Sequence, residues 1–323
     1  MELSNLENLR RRSRPRKRSL LLGLLFWAFI GSLVYEGGAW LCRAVAWQAL
    51  KTEKATGGVL EKIIPLEAVV IREESSLAAP VDGLLIRVVQ EGERVAAGAT
   101  IARLQAAGVA AGETGLRDIS APFAGQVCYH PDGLEKVLQP AFIEQLQPQE
   151  VFTLAYRSQA AEGEGTVKAG RPVVRLVNNL HPLYLLALLE DPPSAWQDKK
   201  QVVLRWPGQA ENIPARVVRS YSLEGRWVII FRLDRWGDQW LHVRVAHIEG
   251  LADKYRGVIL PRSALVVRED GSQGVYFLEK KQIGFQAVQV AGEVGEKVAV
   301  QGLKEGTEVI LNPYWVRFLP VKS

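Results

Sequence analysis

The sequence predicts a mostly β protein that is carried on a single N-terminal transmembrane helix. Three observations predict this class. The chain has 323 residues, of which 48% are apolar and 23% charged, so it is long enough for about two folded units and is not disordered as a whole. Only one stretch, Ser19–Tyr35, is long and apolar enough to span a bilayer. Beyond it, short β-branched segments alternate with Gly, Pro and Asp every eight to twelve residues or so.

The predicted anchor covers residues 19–42. Ser19–Tyr35 has no charged residue and reaches the short end of the length that spans a bilayer, and Gly37–Cys42 extends the span if Glu36 lies at the interface. Ten residues of Ser19–Tyr35 are Leu, Ile, Phe or Val. Side chains of this kind contribute about −3 to −6 kcal/mol in total to membrane insertion, which is enough for a stable anchor.

Two alternatives to an uncleaved anchor stay open. A cleaved signal peptide has a similar basic start, but its apolar stretch is shorter, and the A-x-A-like site at Ala44–Ala46 lies far past the stretch. A soluble buried helix does not normally follow a run of seven cations. A lipoprotein signal needs small residues before Cys42, where Trp40 and Leu41 stand instead.

The net charge of +5 belongs to the first 18 residues, because the rest of the chain holds 33 basic and 33 acidic groups. A nucleic-acid-binding domain needs a basic face, so the neutral body excludes that class of partner. A basic flank stays in the cytoplasm and attracts anionic lipid, which predicts a single-pass protein of the cytoplasmic membrane with an extracytoplasmic body. The cations expected to contact lipid are Arg10, Arg11, Arg12, Arg14, Arg16, Lys17 and Arg18.

A polar connector at residues 43–65, containing Gly57-Gly58, leads into the β-rich body. Each predicted strand is a short run rich in β-branched and other apolar residues. The runs are LEAVVI (66–71), LLIRVV (84–89), PVVRLV (172–177), QVVLRW (201–206), RWVIIF (226–231), GVYFL (274–278) and EVIL (308–311).

The body contains an internal repeat. Residues 79–85 (APVDGLL) recur as residues 121–127 (APFAGQV), and each copy predicts a strand, a tight turn and further strands. One half alone cannot cover its own apolar face. The repeat therefore predicts that the two halves clasp each other around one joint core, as a small flattened barrel.

Further segments follow the repeat in a fixed order, and the set resembles the HlyD-type membrane fusion proteins, or periplasmic adaptors, over roughly residues 60–315. The segments are GRPVVRLVN (170–178), HPLY (181–184), GVILPRSALV with GVYF (257–277) and GLKEGTEVI (302–310). The resemblance implies three domains after the anchor. These are a lipoyl-like (biotinyl/lipoyl hammerhead) domain at 66–178, a β-barrel domain at 179–256 and a small membrane-proximal β-domain at 257–323.

Two features depart from that family. Its members usually insert a long α-helical hairpin between the lipoyl halves, which reaches the outer-membrane channel, whereas Leu104–Arg117 predicts only a short Gly/Ala-rich loop. The second half instead carries an insertion, residues 136–165. Pro140 and Pro148 exclude one long straight helix there, so two short helices are expected before a flexible Ala160–Gly165.

No constellation for catalysis, cofactor attachment or metal binding emerges from the sequence. The loop 104–117 has no lysine on which lipoate or biotin could be carried. His242 and His247, in a predicted strand, fall on opposite faces, and His130 and His181 are expected to be structural. Cys128 is expected to be a small buried residue, and the alternatives are a disulfide with Cys42 or a nucleophile beside His130 on one strand face.

Tryptophans crowd the segment from residue 190 to 245, where they are expected to fill a β core or its rim. The turn from Trp236 to Trp240 is the better candidate for an exposed aromatic surface. The whole chain is therefore predicted to be a non-catalytic adaptor that presents extracytoplasmic β-domains to an inner-membrane transporter, in an efflux or secretion complex that self-associates. The alternative is a cell-envelope scaffold that is not tied to transport.

Overall fold

The computed structural model of the chain describes residues 16–106, 115–158, 165–193, 196 and 201–322, with side chains in the N-terminal helix from residue 26. The chain divides into two units. One is Glu61–Lys254, and the other combines the residues up to Leu60 with Tyr255–Ser323. Each unit has its own apolar core, and each is described separately below.

Strands dominate the described residues. The α-helices whose bounds lie within the described residues are α1 (Arg16–Ala49) and α2 (Pro148–Arg157). The strands are β1 (Thr52–Lys54), β2 (Thr56–Ile71), β3 (Glu74–Ala78), β4 (Gly83–Arg87), β5 (Arg94–Val95), β6 (Thr100–Ala106), β7 (Leu116–Ser120), β8 (Gly125–Cys128), β9 (Thr166–Val167), β10 (Pro172–Val177), β11 (Leu183–Leu189), β12 (Gln201–Arg205), β13 (Ile213–Leu223), β14 (Arg226–Leu233), β15 (Val245–Pro261), β16 (Leu265–Val267), β17 (Gln273–Glu279), β18 (Gln282–Ala287), β19 (Gln289–Val294), β20 (Lys297–Gln301), β21 (Glu308–Ile310) and β22 (Val321–Lys322).

The mostly β class is confirmed, and every run predicted as a strand overlaps one. The polar connector expected at residues 43–65 is instead regular structure, because α1 continues to Ala49 and strands begin at Thr52. The reason is long-range pairing, since β1 lies antiparallel to β21 with Thr52 opposite Ile310. A partner that lies so far along the chain leaves no local periodicity in the sequence.

Within Glu61–Lys254, two four-stranded sheets form a barrel sandwich. One sheet has the order β3-β10-β8-β5 and the other β7-β6-β4-β9. Exchanging the strands whose numbers differ by four (β3 with β7, β4 with β8, β5 with β9 and β6 with β10) swaps the half β3–β6 with the half β7–β10, and it converts the first sheet into the second. Each sheet therefore takes two strands from each half. The predicted interlocking of the repeat is present, around one core that includes Ile101, Leu104, Val127 and Leu176.

The repeated glycines occupy equivalent places in the two halves. A Cβ added to Gly83 would lie 2.2 Å from the Gln105 carbonyl oxygen on β6, and one added to Gly125 would lie 2.5 Å from the Val177 carbonyl oxygen on β10. Neither glycine needs a left-handed backbone. Both are required because the backbone of the paired strand approaches too closely for any side chain.

The same unit contains an antiparallel barrel of six strands in the order β12-β13-β14-β11-β2-β15, which closes through pairing of β12 with β15. Its interior holds Leu185, Phe231, Trp196 and Trp240 among others. The Trp196 ring lies edge-on to Phe231, with 5.7 Å between ring centroids. A Cβ on Gly250 would come within 2.3 Å of the Trp196 ring, so the barrel interior is filled by side chains.

The insertion, up to Ser158, covers one outer face of this barrel, whereas the segment expected to be flexible, Ala160–Gly165, lies outside the described residues except for Gly165. A 3₁₀ turn at Pro140–Phe142 and helix α2 begin at the two prolines, in agreement with the expected pair of short helices. Val151 and Ala155 of α2 pack with Val69 and Leu186 of the barrel wall. This cover explains why 69–71 is a continuous apolar run, because both faces of β2 are buried there.

The other unit contains the C-terminal strands and helix α1. One sheet has the order β1-β21-β17-β18-β22, with β16 beside β17, and β20 lies between β15 and β19. Ala46 of α1 packs into a cluster with Ile283, Ile310 and Val316. In the part of the chain that the structure describes, no helix combines the length and the apolar character needed to cross a membrane.

The predicted lipid contacts cannot be placed. They involve four side chains of the tail and three at the start of α1, and all lie outside the described residues and side chains. They are Arg10, Arg11, Arg12, Arg14, Arg16, Lys17 and Arg18.

Candidate functional site

Strand β8 and a neighbouring turn place three chemically reactive side chains together. Cys128 ends β8 with no exposed surface, and His130 follows two residues later, just before Pro131. Glu91 lies on the turn beside β8. Gly92 enables this turn by adopting a φ of 76°, and its N–H donates to the Val127 carbonyl at 2.9 Å.

A fourth side chain, His242, comes from the segment that leads into the barrel strand β15. The expectation that His242 and His247 share a strand is wrong, because β15 begins only at Val245. The 3₁₀ turn at Asp238–Trp240 redirects the chain before the strand starts. His242 therefore leaves the barrel wall and lies beside Cys128.

The four side chains converge on one point. The distance from Cys128 Sγ to His242 Nδ1 is 3.7 Å. Glu91 Oε1 lies 3.6 Å from both His130 Nδ1 and His242 Nδ1. One ligand atom from each residue lies within 4.8 Å of the other three. The two imidazole rings are edge-on, with 5.9 Å between their centroids.

Beneath these groups lies a buried ionic network of three guanidiniums and two carboxylates. Arg244 donates to Asp132 at 2.7 and 2.9 Å and to Glu74 at 2.5 Å. Arg72 pairs with Glu74 at 2.8 Å, and Arg175 pairs with Asp132 at 3.1 Å. All five side chains are nine-tenths buried or more. Charged residues are normally exposed, and nothing in the local sequence indicates that these five are buried.

The network fixes the segment that carries His242. Arg72 donates to the carbonyls of Trp240 at 2.5 Å and Val243 at 3.1 Å, and Arg175 donates to the Leu241 carbonyl at 2.8 Å. The carbonyls on either side of His242 are therefore held by buried cations. The same guanidinium of Arg175 donates to Cys128 Sγ at 3.2 Å, so one side chain orients both the thiol and the segment opposite it.

Burial and charge set the protonation of these groups. Burial lowers the pKa of His242, which leaves its imidazole neutral at pH 7, and burial raises the pKa of the Cys128 thiol against the opposing effect of Arg175. Burial lowers the pKa of Arg72 to about 10, so it stays charged. Burial alone would raise the pKa of Glu74, but the guanidiniums of Arg72, Arg244 and Arg175 hold it below its usual value.

The remaining residues that the sequence singled out lie elsewhere. His181 is exposed and pairs with Glu73, and His247 is exposed with its Nδ1 3.9 Å from Glu67. Both cysteines are free, and Cys42 is an exposed residue of α1.

The tryptophans behave as expected, with one exception. Trp196 lies in the barrel core, and Trp206 packs against that core. Trp240 is not an exposed aromatic but is fully buried, because its ring packs on Trp206 with 4.7 Å between centroids. Trp236 is half-buried over the apolar contact of Cys128 with Leu241.

Sequence reasoning missed the convergence of the four groups for a physical reason. His242 lies 114 positions from Cys128, and no local spacing relates them. Glu91 carried no signal beyond its position before Gly92. The proximity of Cys128 to His130 was visible in the sequence, but two residues alone do not define a site.

Comparison with known proteins assigns the domain that contains most of these groups. Residues 74–178 match the family model described as the RND-related barrel-sandwich hybrid domain. No curated protein matches the chain. Among solved structures, ZneB from Cupriavidus metallidurans is 11% identical and aligns over 82% of this chain and 93% of its own, with a TM-score of 0.34. MacA from Actinobacillus actinomycetemcomitans is 10% identical over 80% and 99%, with a TM-score of 0.37.

A putative efflux transporter from Bacteroides eggerthii is 16% identical over 84% of this chain and 97% of its own, with a TM-score of 0.32. The matched range begins at β3 and ends at residue 178, so it covers both halves of the repeat. The resemblance to membrane fusion proteins is thus confirmed where the repeat predicted it, over the residues 74–178 that match the RND-related barrel-sandwich hybrid domain.

Proposed function

We propose that the protein is a non-catalytic, membrane-anchored adaptor of the membrane fusion type. The observation that carries the proposal is the barrel-sandwich hybrid of residues 74–178, with two interlocked halves and a match to the RND-related family. A barrel follows it in the chain, as the resemblance implies. Its interior is filled by Leu185, Phe231, Trp196 and Trp240, so it is suited to hold a shape rather than to enclose a substrate.

The proposed anchor is residues 19–42, with the tail 1–18 in the cytoplasm and the β-domains outside it. The support for this topology is the sequence, namely an uncharged apolar stretch directly after seven cations. Protease added to intact spheroplasts is expected to digest the β-domains and to leave a short N-terminal fragment that becomes accessible only after lysis. Full protection of the β-domains, or full-length protein in the cytosolic fraction, would contradict the topology.

The proposed partner is an inner-membrane transporter of an efflux or secretion assembly, in which the adaptor self-associates. A second candidate, a cell-envelope scaffold, is favoured by one observation. Strands β6 and β7 pair up to Gln105 with Leu116, so only the ten residues 106–115 connect these paired positions of the two halves. An adaptor that contacts an outer-membrane channel through a helical hairpin would need a long insertion at this place.

Photo-crosslinking in cells distinguishes the two candidates. A crosslinking amino acid placed at Leu84 or Val88, both exposed apolar positions on the barrel sandwich, is expected to capture an integral membrane transporter or a second copy of the chain. The same amino acid at Val218, an exposed position on the barrel, gives the background. Capture of cell-wall or division proteins at Leu84 and Val88, with no transporter, would favour the scaffold.

A further inference from the structure

We propose that Glu91, Cys128, His130 and His242 bind one Zn²⁺ ion, or another late divalent transition metal, in a tetrahedral site. This inference goes beyond the adaptor function and does not depend on it. The ligand types support this proposal, because one thiol, two imidazoles and one carboxylate are donors that zinc prefers in proteins. Mg²⁺ and Ca²⁺ require sets of oxygen ligands, which this cluster does not provide.

The distances between the donor atoms fit a metal at their centre. In a tetrahedron with Zn–S about 2.3 Å and Zn–N or Zn–O about 2.0–2.2 Å, neighbouring ligand atoms are about 3.4–3.6 Å apart. The measured separations are 3.7 Å for Cys128 Sγ to His242 Nδ1 and 3.6 Å for Glu91 Oε1 to each histidine Nδ1. These three separations lie within a few tenths of an ångström of the tetrahedral values, and all four ligand atoms lie within 4.8 Å of one another.

A second observation points to a ligand at this place. His130 Nδ1 is buried and makes no hydrogen bond to any residue that the structure describes. A buried polar atom without a partner is costly, and a metal ion bound there would satisfy it. Cys128 is also fully buried, so a substrate could not easily reach its sulfur, which favours a metal ligand over a nucleophile.

The groups around the cluster hold the donors in place, as outer contacts do in metal sites. The Tyr129 N–H donates to Glu91 Oε2 at 2.9 Å, which leaves Oε1 directed at the two histidines. Arg175 donates to Cys128 Sγ and to the Leu241 carbonyl, which fixes the sulfur relative to the segment that carries His242. His130 and His242 are 41% and 50% exposed, so an ion can enter from solvent.

Four protein ligands make a closed, structural type of site. Three ligands belong to the barrel sandwich, and His242 belongs to the segment that opens β15 of the barrel. A bound ion would therefore join these two parts of Glu61–Lys254. Metal that binds only the folded state also raises its melting temperature, which gives a readout that is independent of any transport activity.

The test uses the full chain without a histidine tag, in detergent, reduced and stripped of metal with a chelator. Zn²⁺ is titrated in competition with a chromophoric chelator and counted by elemental analysis. The expected result is one tightly bound ion per chain and a rise in melting temperature, both unaffected by excess Mg²⁺. Co²⁺ in place of Zn²⁺ is expected to give a tetrahedral spectrum with a thiolate charge-transfer band.

The chain offers matched controls. His242→Ala and Cys128→Ser are expected to weaken Zn²⁺ binding by about a hundredfold or more, since even the loss of an outer contact costs 10- to 100-fold. His247→Ala and Cys42→Ser make the same chemical changes at exposed positions and are expected to leave binding unchanged. Glu91→Gln replaces a partly exposed ligand, so it tests the site even if Cys128→Ser does not fold.

Two results would overturn the proposal. One is that the wild-type chain does not bind Zn²⁺ stoichiometrically. The other is an affinity that His242→Ala and Glu91→Gln leave the same as their controls.

Discussion

Replacing Arg244 by Met is expected to destabilise the unit Glu61–Lys254 by about 3 kcal/mol. Removal of one partner from a buried ion pair typically costs about 3–5 kcal/mol, because a buried charge loses its compensation. Arg244 is 7% exposed, and it holds two carboxylates and the Val70 carbonyl. The lower end of the range applies, because Arg72 still pairs with Glu74 and Arg175 with Asp132.

The matched control is Arg232→Met. Arg232 pairs with Asp234 at 2.8 Å, yet both side chains are more than a third exposed. Solvent-exposed pairs contribute about 0–1 kcal/mol, so the control is expected to change stability by less than about 1 kcal/mol. The comparison separates the effect of burial from the loss of any arginine.

Urea unfolding of the detergent-solubilised chain, followed by tryptophan fluorescence, measures the difference. Five of the nine tryptophans lie in Glu61–Lys254, so the signal reports this unit. For a unit of this size, a loss of 3 kcal/mol lowers the melting temperature by about 6–12 °C. Equal effects of Arg244→Met and Arg232→Met would refute the argument, as would a loss below about 1 kcal/mol for Arg244→Met.

Three further outcomes are expected. The stability difference between wild type and Glu74→Gln should be constant above about pH 5 and shrink below about pH 4. The reason is that the folded-state pKa of Glu74 lies below its unfolded-state value. A pH series of urea unfolding curves measures the difference, and a difference that does not change with pH would contradict the prediction. Gly83→Ala and Gly125→Ala should each cost about 1–3 kcal/mol, because the new Cβ meets a strand carbonyl, whereas Gly38→Ala in α1, with nothing within 4 Å, should cost nothing. Trp240→Ala should cost about 3–5 kcal/mol in the same assay, and a surface-like effect would show that the ring is not in the core.

The parts of the fold that could be predicted are those with local causes. The strand at residues 172–177 has the predicted bounds, because a short β-branched run between turns has few other ways to fold. The pairing of the halves followed from two copies of one glycine-containing motif. The helices of the insertion begin at the two prolines, which fit the first turn of a helix.

The candidate site had non-local causes, and for that reason the sequence did not reveal it. Arg175 is flanked by apolar residues on both sides in its strand, and nothing local indicates that Asp132 and Glu74 neutralise it in the interior. His242 reaches Cys128 only because the turn at Asp238–Trp240 moves it off the barrel wall. Trp240 follows a polar turn, yet its ring packs on Trp206 in the barrel. Such contacts depend on the assembled fold rather than on spacing along the chain.

The exchange of strands between the two halves limits how this domain can be divided. Strand β3 finds its partner in β10, and β5 finds its partner in β8, so a fragment that ends after β6 is left with open edges. The complementary fragment that starts at β7 has the matching edges. Severing the peptide chain between residues 107 and 114 should therefore yield two pieces that are insoluble singly and regain order when mixed.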